Sequence, residues 1–203
     1  MQMGNANPWF SMWKKPRTTI RSIVQVNPRY GVVYLATAYA LQNLFYFANV
    51  YSVGHRLGFF AVLIPMLVLA PIVGMAWLYY SGWVFYITGR WLGGIAPAVH
   101  LRAVVAWSNV PTILTVAMWC IFLLTRAESV FLFPMTGPTL VFVNLIILIL
   151  GVWTFVLFLQ SLREVQGFSL GRALANLLLA GTVSGAIIFL AAMAVGMMIG
   201  LFL

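Results

Sequence analysis

Apolar stretches long enough to cross a lipid bilayer fill most of this 203-residue chain and constrain its fold more than any other feature. A helix needs about 20 apolar residues to span the hydrocarbon core. The hydrophobic fraction is 64% and the charged fraction only 6%, so a water-soluble domain of this composition would lack the polar surface that keeps it in solution. The sequence therefore predicts an all-α integral membrane protein.

Five apolar runs are predicted to span the membrane as a bundle of five transmembrane helices, which forms one domain over residues 30–203. The approximate limits of the spans are residues 30–50, 59–88, 103–125, 139–159 and 173–203. Pro65 and Pro71 are expected to kink or tilt the second span, and Pro111 to bend the third. Residues 96–109 carry His100 and begin at the surface, so they are either interfacial or part of the third span.

The first 29 residues are predicted to form a cytoplasmic segment that contains an amphipathic helix over about residues 8–26. Ile20 and Ile23 fall on one face at helical spacing, whereas Arg17 and Arg21 fall on the other. We expect this interfacial helix to lie in the membrane surface with its aromatic and aliphatic side chains toward lipid. The residues expected to contact anionic lipid headgroups are Lys14, Lys15, Arg17, Arg21 and Arg29.

The positions of Lys and Arg predict the orientation of the spans. Nine of the eleven basic residues lie in the N-terminal segment, the 89–102 link and the 160–172 link, which share one side if the spans alternate. The other two, Arg56 and Arg126, fall on the opposite side. Because basic residues are enriched in cytoplasmic links, the N-terminus is expected in the cytoplasm and the C-terminus outside. The regular alternation favours five spans over four or six.

Small residues recur along one face of the last span. They are Gly181, Gly185, Ala192, Gly196 and Gly200. Their separations of four or seven residues keep them on one side of a helix, and small residues let helix backbones approach closely in lipid. The spacing predicts close packing, either with another helix of the bundle or with a second copy of the chain in a homo-oligomer.

Uncharged polar side chains are scattered through the spans, and one acid lies on the predicted cytoplasmic side. Gln42, Asn49, Asn144 and Asn176 favour interhelical hydrogen bonds over a substrate pathway. Glu164 is predicted either to form a salt bridge that fixes the neighbouring links or to contact a partner or lipid. The arginines expected near it are Arg90, Arg102, Arg163 and Arg172.

The sequence argues against most catalytic, metal and nucleic-acid chemistry. The chain has no Asp, so it has no Ser-His-Asp arrangement, and it has no Walker loop or HExxH motif. His55 and His100 are predicted on opposite sides of the membrane, about 30 Å apart, and cannot share a metal. The basic residues lie at span ends rather than on one polar face, which disfavours nucleic acid. We therefore predict a non-enzymatic protein without a cofactor.

Short motifs flank the first span and the last link. They read Pro16-Arg17-Thr18-Thr19-Ile20-Arg21 followed by Asn27-Pro28, and Ser161-Leu162-Arg163-Glu164 through Phe168-Ser169-Leu170-Gly171-Arg172-Ala173. A Leu92-Gly93-Gly94 break and a Trp107-Ser108-Asn109-Val110-Pro111 stretch accompany them. Together these segments resemble the Yip (Ypt/Rab-interacting protein) domain family over roughly residues 8–203.

This resemblance implies a five-helix membrane domain with a cytoplasmic N-terminus. Eukaryotic members of the family bind small GTPases and act in vesicle traffic. We expect this protein to lack their long soluble N-terminal region, and the sequence has no Asp-Leu-Tyr-Gly-Pro motif because it contains no Asp. The resemblance is therefore to a prokaryotic-type member, expected as a multi-pass protein of the cell (inner) membrane.

Three functions remain open at the level of the sequence. The first is a membrane scaffold that organises anionic lipids or partner proteins. The second is an accessory subunit of a larger membrane complex, for which the aromatic content of 15% would suit lateral contacts. The third is a channel or transporter for a neutral or lipid-like substrate. No Asp, Glu, Lys, Arg or His is predicted at mid-span, which argues against ion-coupled transport.

Overall fold

Ten helices make up the part of the chain that the computed structural model describes, residues 7–126 and 129–202. Helices α1 to α5 are Pro8–Lys14, Pro16–Val26, Val32–Val50, Gly54–Leu57 and Phe59–Trp91. Helices α6 to α10 are Ala98–Ser108, Thr112–Arg126, Ser129–Leu132, Gly137–Gln166 and Leu170–Phe202. No strand occurs in these two ranges, so the predicted all-helical fold is confirmed.

Three of the described helices, α5, α9 and α10, are long and apolar enough to cross a membrane. Helices α6 and α7 pass the same test together, as one broken span bent by 46°. The 30 residues of α9 extend about 45 Å at about 1.5 Å per residue, which exceeds the hydrocarbon thickness of about 30 Å. Helix α3 carries Gln42, Asn43 and Asn49 and does not pass the test, so a fifth crossing stays a prediction.

Helix α3 nevertheless runs from one end of the bundle to the other. At its start, the carbonyl of Tyr30 accepts a hydrogen bond from Trp107 Nε1 at 2.9 Å. At its end, Asn49 Nδ2 donates to the carbonyl of Val130 at 2.6 Å, and Asn49 Oδ1 accepts from the backbone of Met135 at 3.2 Å. We call the end of the bundle near Tyr30 the N-terminal end and the end near Asn49 the far end. The far end contains α4 and α8, which pack together.

Helix α6 lies in the core of the N-terminal end and packs against α2, α3, α5 and α9. Its buried residues are Leu101, Ala103, Val104, Val105, Ala106, Trp107 and Ser108. Pro111 lacks an N–H group and interrupts the helix, so α6 ends at Ser108 and α7 begins at Thr112. Residues 98–108 are therefore a buried helix that leads directly into α7, and helical structure starts before the predicted residue 103.

Helices α3 and α5 cross where Gly74 of α5 meets Ala36 of α3. A Cβ atom on residue 74 would overlap the carbonyl group of Ala36, so the backbones can approach this closely because residue 74 is glycine. Pro65 and Pro71 lie inside α5, which stays helical from Phe59 to Trp91. Helix α6 packs against both α3 and α5, and α7 packs against α3.

Candidate lipid-headgroup site at the N-terminal end

A break at Lys15 divides the N-terminal segment into α1 and α2, where the sequence predicts one continuous helix. Pro16 is the first residue of α2, and helical geometry is disfavoured just before a proline, so Lys15 adopts φ −134° and ψ 60°. The Thr19 hydroxyl donates to the Lys15 carbonyl at 2.8 Å and contacts the Ser11 hydroxyl at 3.0 Å. These contacts hold the two short helices together across the break.

The apolar face of this segment packs against protein. Met12 and Ile20 are fully buried and Ile23 is 1% exposed, in a core that residues of α6 and α9 complete. Trp9 packs against Trp107 of α6 with ring centroids 4.9 Å apart. We expected the aliphatic side of this face to enter lipid. That expectation is wrong for Met12, Ile20 and Ile23, because the bundle covers them.

Glu164 of α9 fixes α2 through two arginines. Its Oε2 atom accepts a hydrogen bond from Arg17 Nε at 3.0 Å, and its Oε1 atom accepts one from Arg21 Nε at 2.7 Å. Arg17 and Arg21 are four residues apart, so they share one helix face and reach the same carboxylate. The Glu164 side chain is 8% exposed, whereas the two arginine side chains are 54% and 59% exposed. We call this arrangement the Glu164 clamp.

Two arginines that the sequence predicts near Glu164 instead lie over aromatic rings of α5. The guanidinium of Arg102 is 4.3 Å from the ring centroid of Tyr79. That of Arg90 is 5.3 Å from the ring centroid of Tyr86. Both distances fall within the range of cation–π attraction, which satisfies these charges without an acid.

The other two predicted partners of Glu164 also lie elsewhere. Arg163 Nη1 donates to Gln160 Oε1 at 3.4 Å on its own helix, and Arg172 is exposed at the start of α10. Among the ion pairs of the described residues, Glu164 pairs with the N-terminal segment. The predicted salt-bridge partners are therefore wrong, because α2 packs directly on this part of α9.

A half-open groove of about 430 Å³ lies between the α1–α2 break and α9. Its basic wall contains Lys14, Lys15 and Arg17. Its apolar wall contains Trp13, Trp153, Val156 and Leu157. We call it the headgroup groove. Three of the five predicted headgroup residues meet here, while Arg21 belongs to the Glu164 clamp and Arg29 is exposed beyond the end of α2. Cations above an apolar wall suit a phosphate with an attached acyl chain.

Buried amides connect the links at the same end of the bundle. Gln166 Oε1 accepts a hydrogen bond from the backbone of Ala96 at 3.1 Å, which ties the α5–α6 link to α9. The hydroxyl of Thr88 donates to Asn176 Oδ1 at 2.7 Å, which ties α5 to α10. A Cβ on residue 89 would overlap the Gln166 amide, so Gly89 leaves room for it. Asn176 thus has the interhelical role that the sequence favours for span amides.

The small residues of α10 have no close neighbour in the single chain where the structure describes their surroundings. Nothing lies within 4 Å of a Cβ built on Gly181 or Gly185, and Ala192 is exposed. The surroundings of Gly196 and Gly200 fall outside the described part. Close packing inside the bundle is therefore wrong at Gly181 and Gly185, and contact with a second copy of the chain stays a prediction.

Comparison with known protein families assigns the chain to one of them. The sequence model of the Yip1 domain matches residues 10–193. The chain belongs to the Yip1 domain family. Neither a search of curated proteins nor a search of solved structures finds a match. The Yip1 match begins inside α1 and ends inside α10, so the Glu164 clamp and the headgroup groove both lie within the domain.

The apolar wall of the headgroup groove is the part of the candidate site that the sequence interpretation omits. It treats α9 as a plain membrane span, so Trp153 and Val156 carry no predicted role. The sequence does contain an indication of this role, since Gln160 and Glu164 follow these residues at helical spacing just beyond the predicted end of the fourth span at residue 159. In the structure, residues 7–126 and 129–202 bring together no three His, Cys, Asp or Glu side chains that could hold a metal.

Proposed function

We propose that this Yip1-domain protein is a five-span protein of a prokaryotic cell membrane that binds anionic phospholipid at the cytoplasmic leaflet and catalyses no reaction. The headgroup groove carries the proposal. Lys14, Lys15 and Arg17 stand at one wall, and residues of a membrane-spanning helix form the other. A lipid phosphate at the cations would leave its acyl chain along Trp153 and Val156, on the lipid side of α9.

The orientation that this function needs rests on the charge distribution. The N-terminal end of the bundle contains the N-terminal segment and the links that hold nine of the eleven basic residues. Basic residues concentrate on the cytoplasmic side, where anionic lipids are also found. Helix α3 connects this end to the far end, which supports counting it as a crossing although it is less apolar than α5, α9 and α10.

Binding of defined lipids to the purified protein tests the proposal. Native mass spectrometry would be used to titrate the protein with phosphatidylglycerol and, separately, with phosphatidylcholine. We expect tighter binding of phosphatidylglycerol. Each basic residue near an anionic surface contributes about 1 kcal/mol, so the double variant Lys14→Gln with Lys15→Gln should lose about 2 kcal/mol, or about 30-fold in affinity.

A matched control comes from the far end of the molecule. Arg56→Gln removes an exposed positive charge there and should leave the affinity for phosphatidylglycerol unchanged. Equal affinity for the two lipids, or an unchanged affinity in the double variant, would contradict the proposal. A foreign protein subunit that stays bound in the same spectra would instead favour the accessory-subunit function.

A further inference from the structure

A second cavity, of about 140 Å³, lies between α3, the α6–α7 break and α9. Its polar lining consists of Tyr39, Gln42, Asn109, Thr112, Thr115 and Thr154. Its remaining lining consists of Ile147, Leu150 and Gly151. None of these residues is charged at neutral pH. Six of the nine carry a polar side chain, while apolar atoms form most of the cavity surface. We call this space the mid-membrane cavity.

The position of Thr154 places the cavity inside the hydrocarbon region. At about 1.5 Å per residue, Thr154 lies about 25 Å along α9 from Gly137 and about 18 Å from Gln166. The hydrocarbon core is about 30 Å thick, so either end of α9 can reach the interface while Thr154 remains in the core. Tyr39 and Gln42 are likewise near the middle of α3, which spans Val32–Val50.

The lining offers both donors and acceptors to a guest. Asn109 Nδ2 donates to the carbonyl of Val105 at 2.7 Å, and the Thr115 hydroxyl donates to the carbonyl of Thr112 at 2.7 Å. Each bond uses one donor, whereas an amide has two donors and an acceptor, and a hydroxyl keeps its acceptor lone pairs. Polar groups at this depth are costly unless hydrogen-bonded, so an empty cavity would be unfavourable.

We propose that the mid-membrane cavity holds a neutral hydroxyl or carbonyl group, supplied either by water or by the uncharged polar end of a lipid such as diacylglycerol. The volume of about 140 Å³ is equivalent to about five water molecules at about 30 Å³ each. An ion is disfavoured because the lining has no charge to offset its transfer into hydrocarbon. Gly151 is exposed and Thr154 half-buried, so the cavity is open along α9, where α9 borders lipid.

Cysteine accessibility distinguishes a hydrated cavity from lipid. A thiol reacts with methanethiosulfonate as the thiolate, and each unit by which burial raises a thiol pKa lowers the thiolate fraction about tenfold at neutral pH. Thr154→Cys would be compared with Val152→Cys on the same helix, where Val152 faces outward with 57% exposure. Both variants carry Cys120→Ser, since native Cys120 is exposed. In phosphatidylcholine nanodiscs we expect labelling at 154 to be at least about tenfold faster than at 152.

A second pair of cysteine variants, on α3, controls for a local folding defect in the α9 variants. Gln42→Cys lines the cavity from α3, and Phe47→Cys faces outward on the same helix. Equal rates within both pairs would overturn the proposal. Diacylglycerol added to the nanodiscs then distinguishes the two sources of the guest. Slower labelling of the cysteines at positions 154 and 42, with unchanged rates at positions 152 and 47, assigns the guest to a lipid hydroxyl. Unchanged rates at all four positions assign it to water.

Discussion

Replacing Glu164 with glutamine should loosen α2 without detaching it. The substitution removes the carboxylate that accepts charged hydrogen bonds from Arg17 and Arg21. Such bonds contribute about 1.5–3 kcal/mol each when they are well shielded. Both arginines are more than half exposed and regain water after the change, so screening reduces the expected loss to about 1–2 kcal/mol in total.

The apolar contacts of α2 outweigh this loss. Ile20 is fully buried and Ile23 is 1% exposed, and truncating a buried isoleucine to alanine costs about 2–5 kcal/mol. Helix α2 should therefore stay docked in Glu164→Gln and detach in the double variant Ile20→Ala with Ile23→Ala. The order of these effects follows from burial, since the isoleucines have no access to water and the arginines do.

Hydrogen exchange of the amides of residues 16–26 measures the docking equilibrium directly. In phosphatidylcholine nanodiscs, Glu164→Gln should raise their exchange rates about 5- to 30-fold, which corresponds to 1–2 kcal/mol of lost protection. Arg56→Gln, at the far end, should leave them unchanged. Exchange at the rate of an unstructured peptide in Glu164→Gln would show that the clamp dominates docking. Wild-type exchange in that variant would show that the ion pairs contribute nothing.

Three further predictions concern the bundle. A reporter fused to the C-terminus should lie outside the cytoplasm and one fused to the N-terminus inside it, and cytoplasmic activity of the C-terminal reporter would refute five crossings. Gly74→Ala should destabilise the protein by about 1–3 kcal/mol, because the added Cβ atom overlaps the Ala36 carbonyl. Gly151→Ala should not destabilise it, because no atom lies within 4 Å of a Cβ at that position. Equal melting temperatures of the two variants would contradict this prediction. Gly185→Leu should preserve the melting temperature and reduce any dimer seen by native mass spectrometry, and an unchanged oligomer distribution would place this face toward lipid.

The length of the apolar runs was sufficient to predict the helical class. The positions of the cations were sufficient to divide the links between the two ends of the bundle. The sequence places Arg17 and Glu164 on the same side of the membrane, and the structure brings them to 3.0 Å. The sequence alone does not identify Arg17 and Glu164 as partners. Spacing of four residues shows that Arg17 and Arg21 share a face, but only the packing of α2 on α9 determines which acid that face meets.

The surroundings of an apolar helix face are harder to predict than its existence. Ile20 and Ile23 form the same stripe whether they meet lipid or protein, because lipid tails are as apolar as the side chains of a helix bundle. The same limit applies to small residues. Ala70 and Gly74 of α5 have the four-residue spacing that also marks the last span, yet Gly74 meets Ala36 whereas Gly185 has no close neighbour in the chain. The spacing of small residues permits two helices to approach closely, but whether they do depends on which helix lies next to that face.

Arg17 links the headgroup groove to the Glu164 clamp. Arg17 lines the groove and its Nε donates to Glu164, so a phosphate bound in the groove and the carboxylate would act on one guanidinium. Two anions that share a cation also repel each other, and the free energies of interactions with a common partner do not add. Occupation of the groove by an anionic headgroup should therefore weaken the Arg17 side of the clamp and leave the Arg21 side intact. Because Ile20 and Ile23 keep α2 docked meanwhile, we expect headgroup binding to change the electrostatic interactions of Arg17 without moving the helix.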